Sequence, residues 1–118
     1  MLIGATGRPV YLACGATDLR KSIDALAALV QRTFQRDPCS AALFVFCNRD
    51  RTKLKILEWD ETGFWLHYRR LERGHIHWPS RGETATQAIT LRQLQWLLDG
   101  LTLDQPEAHR PLRGRRIV

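Results

Sequence analysis

The sequence predicts a single α+β domain, in which a mostly antiparallel sheet of about five strands carries one long helix and a short C-terminal helix. Three observations predict this class: short β-branched or aromatic runs bounded by turn residues, one apolar stripe with helical spacing, and a helix-capping motif late in the chain. With 118 residues the chain has room for one domain and a modest core. We expect that domain at residues 1–109 and a flexible basic tail at 110–118.

A strand followed by the long helix begins the predicted domain. The strand covers residues 9–14, PVYLAC, and Gly15 ends it. Asp18 is placed to cap the helix, and its negative charge is favourable near the positive end of the helix dipole. The helix is therefore expected from Asp18 to Phe34. Its apolar stripe consists of Leu19, Ile23, Leu26, Val30 and Phe34. The stripe should cover one face of the sheet, because an amphipathic helix needs an apolar surface to pack on.

Three more strands are predicted in the middle of the chain. Residues 43–47, LFVFC, include no polar side chain, so both faces of this strand should be buried. Residues 53–59 and 64–71 flank a polar turn at 60–63, which predicts an antiparallel hairpin. A short last strand is expected at 75–78.

A short helix is predicted to complete the fold. Residues 80–89 have the composition of a polar linker without a core signal. Thr90 and Gln93 then form the two ends of a capping box, and Gly100 is placed to stop the helix. The apolar stripe of this helix consists of Leu91, Leu94, Leu98 and Leu101.

The predicted hairpin has two faces of different character. Because side chains alternate along a strand, pairing residue 59 with residue 64 assigns every side chain to a face. The face expected in the core holds Leu57, Trp59, Phe64, Leu66 and Tyr68, with Lys53, Lys55 and Arg70 at its open end. The face expected to be partly exposed holds Leu54, Ile56, Glu58, Trp65, His67, Arg69 and Leu71.

Positive charge is concentrated in the sequence. Lys and Arg number 18 against 12 Asp and Glu, which gives a net charge of +6. The last nine residues contain no acid and hold Arg110, Arg113, Arg115 and Arg116. Concentrated positive charge favours a polyanionic partner. The alternative is a disordered end that only adds solubility.

These features predict a nucleic-acid surface. Phosphate contacts are expected from basic residues around the hairpin and in the tail, and base stacking from one tryptophan. The candidates are Arg49, Arg51, Lys53, Lys55, Trp65, Arg69, Arg70, Arg73, Arg113, Arg115 and Arg116. A competing interpretation is that Trp65 only shields the sheet while Arg69 pairs with Glu58 or Glu72.

The sequence holds little that indicates catalysis. A phosphate-binding glycine loop, a nucleophile elbow and a His-x-Glu pattern with paired cysteines are absent. His75 and His77 would share one face of a strand, but no further ligand accompanies them at a recognisable spacing. The odd, widely spaced set of Cys14, Cys39 and Cys47 predicts reduced and mostly buried thiols. No enzymatic activity, metal or cofactor is expected.

The sequence has no long apolar run and no basic segment leading into an apolar signal core. We therefore expect a cytoplasmic protein without a membrane partner.

Three segments, at residues 10–30, 37–60 and 63–79, resemble a known family. They contain Thr17-Asp18-x-Arg20-Lys21, Leu54-Lys55-Ile56-Leu57, Trp59-Asp60, Arg70-Leu71-Glu72-Arg73-Gly74 and Trp78-Pro79 in order. The chain resembles the TnpB-type accessory proteins of the sixty-six family of insertion sequences, which are distinct from the RNA-guided nuclease of the same name. It departs from the family pattern at Ser22, Ala25, Cys39, Cys47 and Glu58.

The resemblance implies a non-catalytic helper in transposition, encoded beside a separate DDE-type transposase. The implied partners are element DNA, the cognate transposase and the other accessory protein of the element. DNA binding is the favoured interpretation. The alternative is a protein-interaction adaptor that recruits or stabilises the transposase without contacting DNA, with the Trp65 face as its docking patch.

Overall fold

One sheet of five strands organises the chain in this computed structural model, which describes residues 7–105. The strands are β1 (Val10–Ala13), β2 (Leu43–Cys47), β3 (Lys53–Trp59), β4 (Phe64–Arg70) and β5 (Thr86–Ile89). Their order across the sheet is β4-β3-β2-β1-β5, and the β1–β2 pair is parallel while the others are antiparallel. The predicted α+β class and mostly antiparallel sheet are confirmed.

Two helices pack against the sheet. α1 spans Ile23–Leu29 and continues as a π-helical segment over Val30–Phe34, and α2 spans Leu91–Leu98. Between residues 7 and 105, neither helix is long and apolar enough to cross a bilayer.

The predicted capping of α2 is confirmed. Thr90 Oγ1 accepts a hydrogen bond from the Gln93 backbone N–H at 3.0 Å, and the Gln93 side-chain oxygen accepts one from Thr90 N–H at 2.9 Å. These two bonds satisfy donors that the start of a helix would otherwise leave unpaired. Gly100 follows the helix at φ 79°, in the left-handed region that glycine adopts without strain.

The predicted start of α1 at Asp18 is wrong. The Asp18 carboxylate accepts the Arg20 backbone N–H at 3.0 Å and closes a turn instead of capping a helix. The helix begins after Ser22, which is extended and serves as its N-cap residue. Residues 16–21 are consequently a loop with exposed polar side chains, which becomes important for the site described below.

The fifth strand lies where a polar linker was expected. Residues 75–78 form no strand, because Ile76 N donates to Arg51 O at 2.6 Å and the Trp78 indole donates to Ala13 O at 2.9 Å. These two buried side chains pack into the core from a connecting segment. The fifth strand is β5, which pairs antiparallel with the side of β1 that β2 does not occupy. β5 has the sequence TQAI, and Ile89 is its only buried residue. Because just one of its side chains faces a core, the strand lacks an alternating apolar pattern that would have predicted it.

The sheet separates two apolar cores, and β2 contributes to both. Phe44 and Phe46 belong to the core under α1, whereas Leu43, Val45 and Cys47 belong to the core under α2. Each of the five side chains is fully buried. The prediction that β2 is covered on both faces is confirmed, as is the prediction that the first helix covers one face of the sheet.

The predicted hairpin register is confirmed, with Trp59 opposite Phe64. Leu57 is buried under α1, and Phe64 and Leu66 pack against the same core. Tyr68 was expected in this core, and that expectation is wrong because 56% of its surface is exposed. It lies on the edge strand, beyond the central part of the sheet that α1 covers.

The opposite face of the hairpin was expected to be partly exposed, but its β3 residues are buried. Leu54 and Ile56 are 1% and 2% exposed, because α2 and the 75–78 segment pack over them. Trp65 remains 57% exposed at the edge. Only the outer part of this face therefore meets solvent.

We predict that Leu57→Ala lowers the free energy of unfolding by about 2–5 kcal/mol, because it empties a fully buried position between α1 and the sheet. Leu101→Ala is the matched control, since Leu101 is 44% exposed, and it should change stability by less than about 0.5 kcal/mol. Urea unfolding followed by tryptophan fluorescence measures both. Equal effects of the two substitutions would contradict the placement of Leu57.

We also predict that the three thiols react unequally with a thiol reagent in the native protein. Burial raises the pKa of Cys47 to about 12 and also raises the pKa of Cys14, whereas Cys39 is exposed. Because the thiolate is the reactive species, Cys39 should be labelled first and the other two only on unfolding. Mass spectrometry of the labelled peptides gives the order, and rapid native labelling of Cys47 would contradict it.

Candidate nucleic-acid interface

The turn between β2 and β3 holds two of the predicted cations, Arg49 and Arg51, in a fixed conformation. Asn48 Oδ1 accepts the backbone N–H groups of Thr52 and Lys53 at 2.9 and 3.0 Å. Arg51 lies at φ 59°, in the left-handed region. Short polar turns of this kind are pre-organised by their own side-chain hydrogen bonds.

The loop at residues 16–21 is fastened beside this turn. Thr17 N donates to Cys47 O at 2.8 Å, which joins the loop to the end of β2. The Lys55 ammonium reaches across from β3 and donates to Leu19 O at 2.5 Å and to Lys21 O at 3.1 Å. The loop therefore stays close to β3 although it belongs to neither the helix nor the sheet.

An open groove of about 920 Å³ lies between the β2–β3 turn, the 16–21 loop and the β3–β4 hairpin. Its lining combines cations, one aromatic ring and two acids: Ala16, Thr17, Asp18, Leu19, Arg20, Asn48, Arg49, Asp50, Lys53, Lys55 and Tyr68. Three of the predicted contact residues, Arg49, Lys53 and Lys55, are brought together here. An open groove with several cations and an exposed ring can accept a phosphate backbone and a stacked base.

Four predicted cations, Arg49, Arg51, Lys53 and Arg73, have side chains without a hydrogen bond or ion pair to any residue that the structure describes. They belong to the turn and strand ends at the same end of the hairpin, since Lys53 lies opposite Arg70. Cations without an internal partner are available to an external anion at little cost in lost protein contacts.

The other predicted residues of the hairpin already have partners. Arg69 Nε donates to Leu98 O at 2.8 Å, and Arg70 Nε donates to Glu72 Oε2 at 2.8 Å. The Trp65 indole donates to Asp60 Oδ2 at 2.6 Å, and this hydrogen bond holds the pKa of Asp60 below its usual value.

The sheet also divides the predicted residues between two faces. Lys53, Lys55 and Arg70 lie on the α1 side, whereas Trp65 and Arg69 lie on the α2 side. The predicted residues therefore do not form one continuous surface on the sheet.

The competing interpretation of Arg69 was a pairing with Glu58 or Glu72, and neither pair forms. Glu58 is buried, with its carboxylate accepting from Arg8 and contacting His67 Nε2 at 2.6 Å. Glu72 is paired with Arg70.

Two groove residues were missed by sequence reasoning. Tyr68 had been assigned to the core, and no pattern in the strand distinguishes an exposed edge tyrosine from a buried one. Arg20 belongs to the Thr17-Asp18-x-Arg20-Lys21 motif, which had been interpreted as the start of a helix. Its side chain is 91% exposed and pairs with Asp18, and that hydrogen bond holds the pKa of Asp18 far below its usual value.

Two other groups of predicted residues lie apart from the groove. Arg113, Arg115 and Arg116 are outside the described residues. His75 and His77 are both exposed, and across residues 7–105 no cluster of three or more His, Cys, Asp or Glu is arranged to hold a metal ion.

Comparison with known proteins defines the class. Residues 8–108 match the family described as IS66 Orf2 like protein, and the chain belongs to this family. Membership implies an accessory role in transposition and association with the transposition machinery. The resemblance inferred from the sequence motifs is confirmed.

A curated relative supports the assignment without adding a function. The uncharacterized protein y4hO of Sinorhizobium fredii (strain NBRC 101917 / NGR234) is 38% identical over 105 residues, covering 88% of this chain and 90% of the relative. No solved structure is detectably similar to the chain.

We predict that Lys55→Met destabilises the protein by about 1–3 kcal/mol, because the Leu19 and Lys21 carbonyls lose their ammonium donor. Lys53→Met is the matched control on the same strand and face. It removes a cation without a described partner and should change stability by less than about 0.5 kcal/mol. Chemical unfolding compares the two variants. A smaller effect for Lys55→Met than for Lys53→Met would contradict the role of Lys55 in holding the loop.

Proposed function

We propose that this protein is a DNA-binding accessory factor of insertion-sequence transposition, and that it contacts the phosphate backbone through the groove beside the β2–β3 turn. The observation that carries the proposal is a set of cations whose side chains have no hydrogen bond or ion pair to any residue from 7 to 105: Arg49 and Lys53, which line the groove, and Arg51 in the same turn. Family membership supports the role in transposition, and the cation cluster supports the binding of phosphate groups.

The groove favours backbone contact over base recognition. Its cations lie on a turn and at a strand end, and within residues 7–105 neither a helix nor a separate two-stranded ribbon projects from this region to enter a major groove. Arginine and lysine without a fixed bidentate partner bind phosphates in a sequence-independent way. Tyr68 offers a ring for a base where the DNA is single-stranded or distorted. We therefore expect weak sequence preference.

The acids of the groove tune this binding. The Asp18 carboxylate forms an ion pair with Arg20, whose guanidinium stays exposed to solvent. The pair therefore adds little net charge to the groove. Asp50 is exposed within the same turn. Both carboxylates reduce the local positive potential and so limit non-specific affinity.

The adaptor alternative is supported by one observation, the exposed Trp65 on the opposite face of the hairpin. Its indole stacks at 11° on His67, with the ring centroids 6.3 Å apart, to form an aromatic surface of the kind enriched at protein interfaces. Because this surface and the groove lie on different faces, substitutions can separate the two functions.

We predict that Arg49→Gln combined with Lys53→Gln weakens DNA binding by about ten- to a hundred-fold at moderate salt. Loss of two phosphate contacts should also lower the slope of log affinity against log salt by about 2. Fluorescence anisotropy with a labelled duplex, titrated at several salt concentrations, measures both quantities.

The control variant is Arg32→Gln combined with Arg92→Gln, which removes the same charge from exposed helical positions. It should bind DNA nearly as the parent does. A salt-independent affinity, or equal losses in the two double variants, would contradict the proposed groove. Retention of the transposase with no DNA affinity at all would favour the adaptor function.

A further inference from the structure

β4 forms an open edge of the sheet with a regular geometry. It spans seven residues and stays in unbroken register with β3 from Lys53 opposite Arg70 to Trp59 opposite Phe64. It contains no proline and no bulge, the features that commonly block the pairing of an edge strand. β4 is thus a template for another strand.

Backbone hydrogen bonds at the two ends of the hairpin show which β4 residues bond to β3 and which point their backbone groups away from it. Asp60 N donates to Gly63 O at 3.1 Å, and Leu71 N donates to Thr52 O at 2.8 Å. Because hydrogen-bonded and non-hydrogen-bonded pairs alternate in an antiparallel ladder, the odd-numbered residues of β4 bond to β3.

The even-numbered residues, Phe64, Leu66, Tyr68 and Arg70, direct their backbone N–H and C=O groups outward. Within residues 7–105, no hydrogen bond from another element reaches these groups. They remain available to an added strand.

We propose that β4 pairs antiparallel with β4 of a second copy of this chain, about a two-fold axis at His67. In this register Leu66 lies opposite Tyr68 of the second copy and Phe64 lies opposite Arg70 of the second copy. Four hydrogen-bonded pairs would supply about eight backbone hydrogen bonds, and the two sheets would join into one.

Side-chain complementarity selects this register. Trp65 faces Arg69 of the second copy in a non-hydrogen-bonded pair, where opposing side chains are closest. Because Arg69 Nε is tied to Leu98 O, the guanidinium is held on the same face as the tryptophan, where it can stack on the ring. A shift of two residues would place Arg69 opposite His67 or Trp65 opposite His67, and the cation–π pair would be lost.

The central pair of this register is His67 with His67 of the second copy. Each imidazole is held within its own chain by the buried Glu58 carboxylate, with His67 Nε2 2.6 Å from Glu58 Oε1. Both rings of the central pair are therefore oriented before the two copies meet.

Charge along the hairpin also identifies a second copy as the occupant. The turn end carries Asp60 and Glu61, whereas the other end carries Arg69, Arg70 and Arg73 with one acid, Glu72, which pairs with Arg70. Antiparallel self-pairing brings the acidic turn of each chain beside the basic end of the other, where Glu61 of one copy can pair with Arg73 of the second copy. The hairpin is thus complementary to itself, with two such ion pairs related by the two-fold axis.

The first test removes one outward donor. The parent protein should sediment as a monomer–dimer equilibrium, and Tyr68→Pro should weaken the dimer by at least tenfold, because this N–H faces outward and not towards β3. Tyr68→Ala is the matched control, since it removes the ring and keeps the N–H. It should retain most of the dimer. Circular dichroism confirms that both variants remain folded.

The second test exchanges charge between the two ends. Glu61→Arg alone and Arg73→Glu alone should each raise the dimer Kd on the order of tenfold, since both symmetric pairs then carry like charges. An equimolar mixture of the two single variants should form heterodimers, because each Arg then faces a Glu. Within one chain these residues sit at opposite ends of β4, so rescue on mixing reports a contact between copies.

Three results would overturn the proposal. A chain that remains monomeric at its highest soluble concentration excludes self-pairing. A dimer equally sensitive to Tyr68→Pro and Tyr68→Ala shows that the backbone edge is not the interface. Failure of the mixed charge variants to associate excludes the antiparallel register.

Discussion

The burial of β2 on both faces is the constraint on which the rest of the fold depends. A five-residue strand without a polar side chain must be central and must be covered by a separate apolar layer on each side. α1 supplies one layer, and α2 with the 75–78 segment supplies the other. Once both faces of the sheet centre are occupied, most polar side chains lie at the turns and on the edge strands, and a charged residue elsewhere in the sheet needs specific partners.

Lys55 and Glu58 show how charge is accommodated within β3. The Lys55 ammonium donates hydrogen bonds to two carbonyls of the 16–21 loop. A lysine that the sequence predicted to bind phosphate therefore holds this loop against β3. Glu58 is buried, yet Arg8 and His67 both meet its carboxylate, and the Arg8 guanidinium also donates to Trp59 O at 2.6 Å and Ala41 O at 2.7 Å. A buried carboxylate is tolerated when its hydrogen-bonding capacity is filled in this way.

The hairpin combines two surfaces with different uses. On the α1 side its basic end borders the groove, where the side chains of Arg49 and Lys53 have no hydrogen bond or ion pair to any residue from 7 to 105. On the α2 side Trp65, His67 and Arg69 form an ordered edge held by Asp60, Glu58 and Leu98. The first surface suits a mobile polyanion, whereas the second suits a partner with defined shape, because its side chains are already oriented before contact.

Sequence patterns are enough to predict the class of fold, the central buried strand, the hairpin with its register and the capping box of α2. Each of these depends on local periodicity or on a short motif, such as the alternation across residues 53–59 and the Thr90–Gln93 pair. The folded chain was needed to show where α1 begins, that β5 completes the sheet, and which cations have no partner among residues 7–105. Those outcomes depend on contacts distant in the chain: Arg8 with Glu58, Lys55 with Leu19, and Trp78 with Ala13. A basic residue that holds a loop in place and one whose side chain has no partner among residues 7–105 have the same sequence signal, because the difference depends on which groups folding brings near.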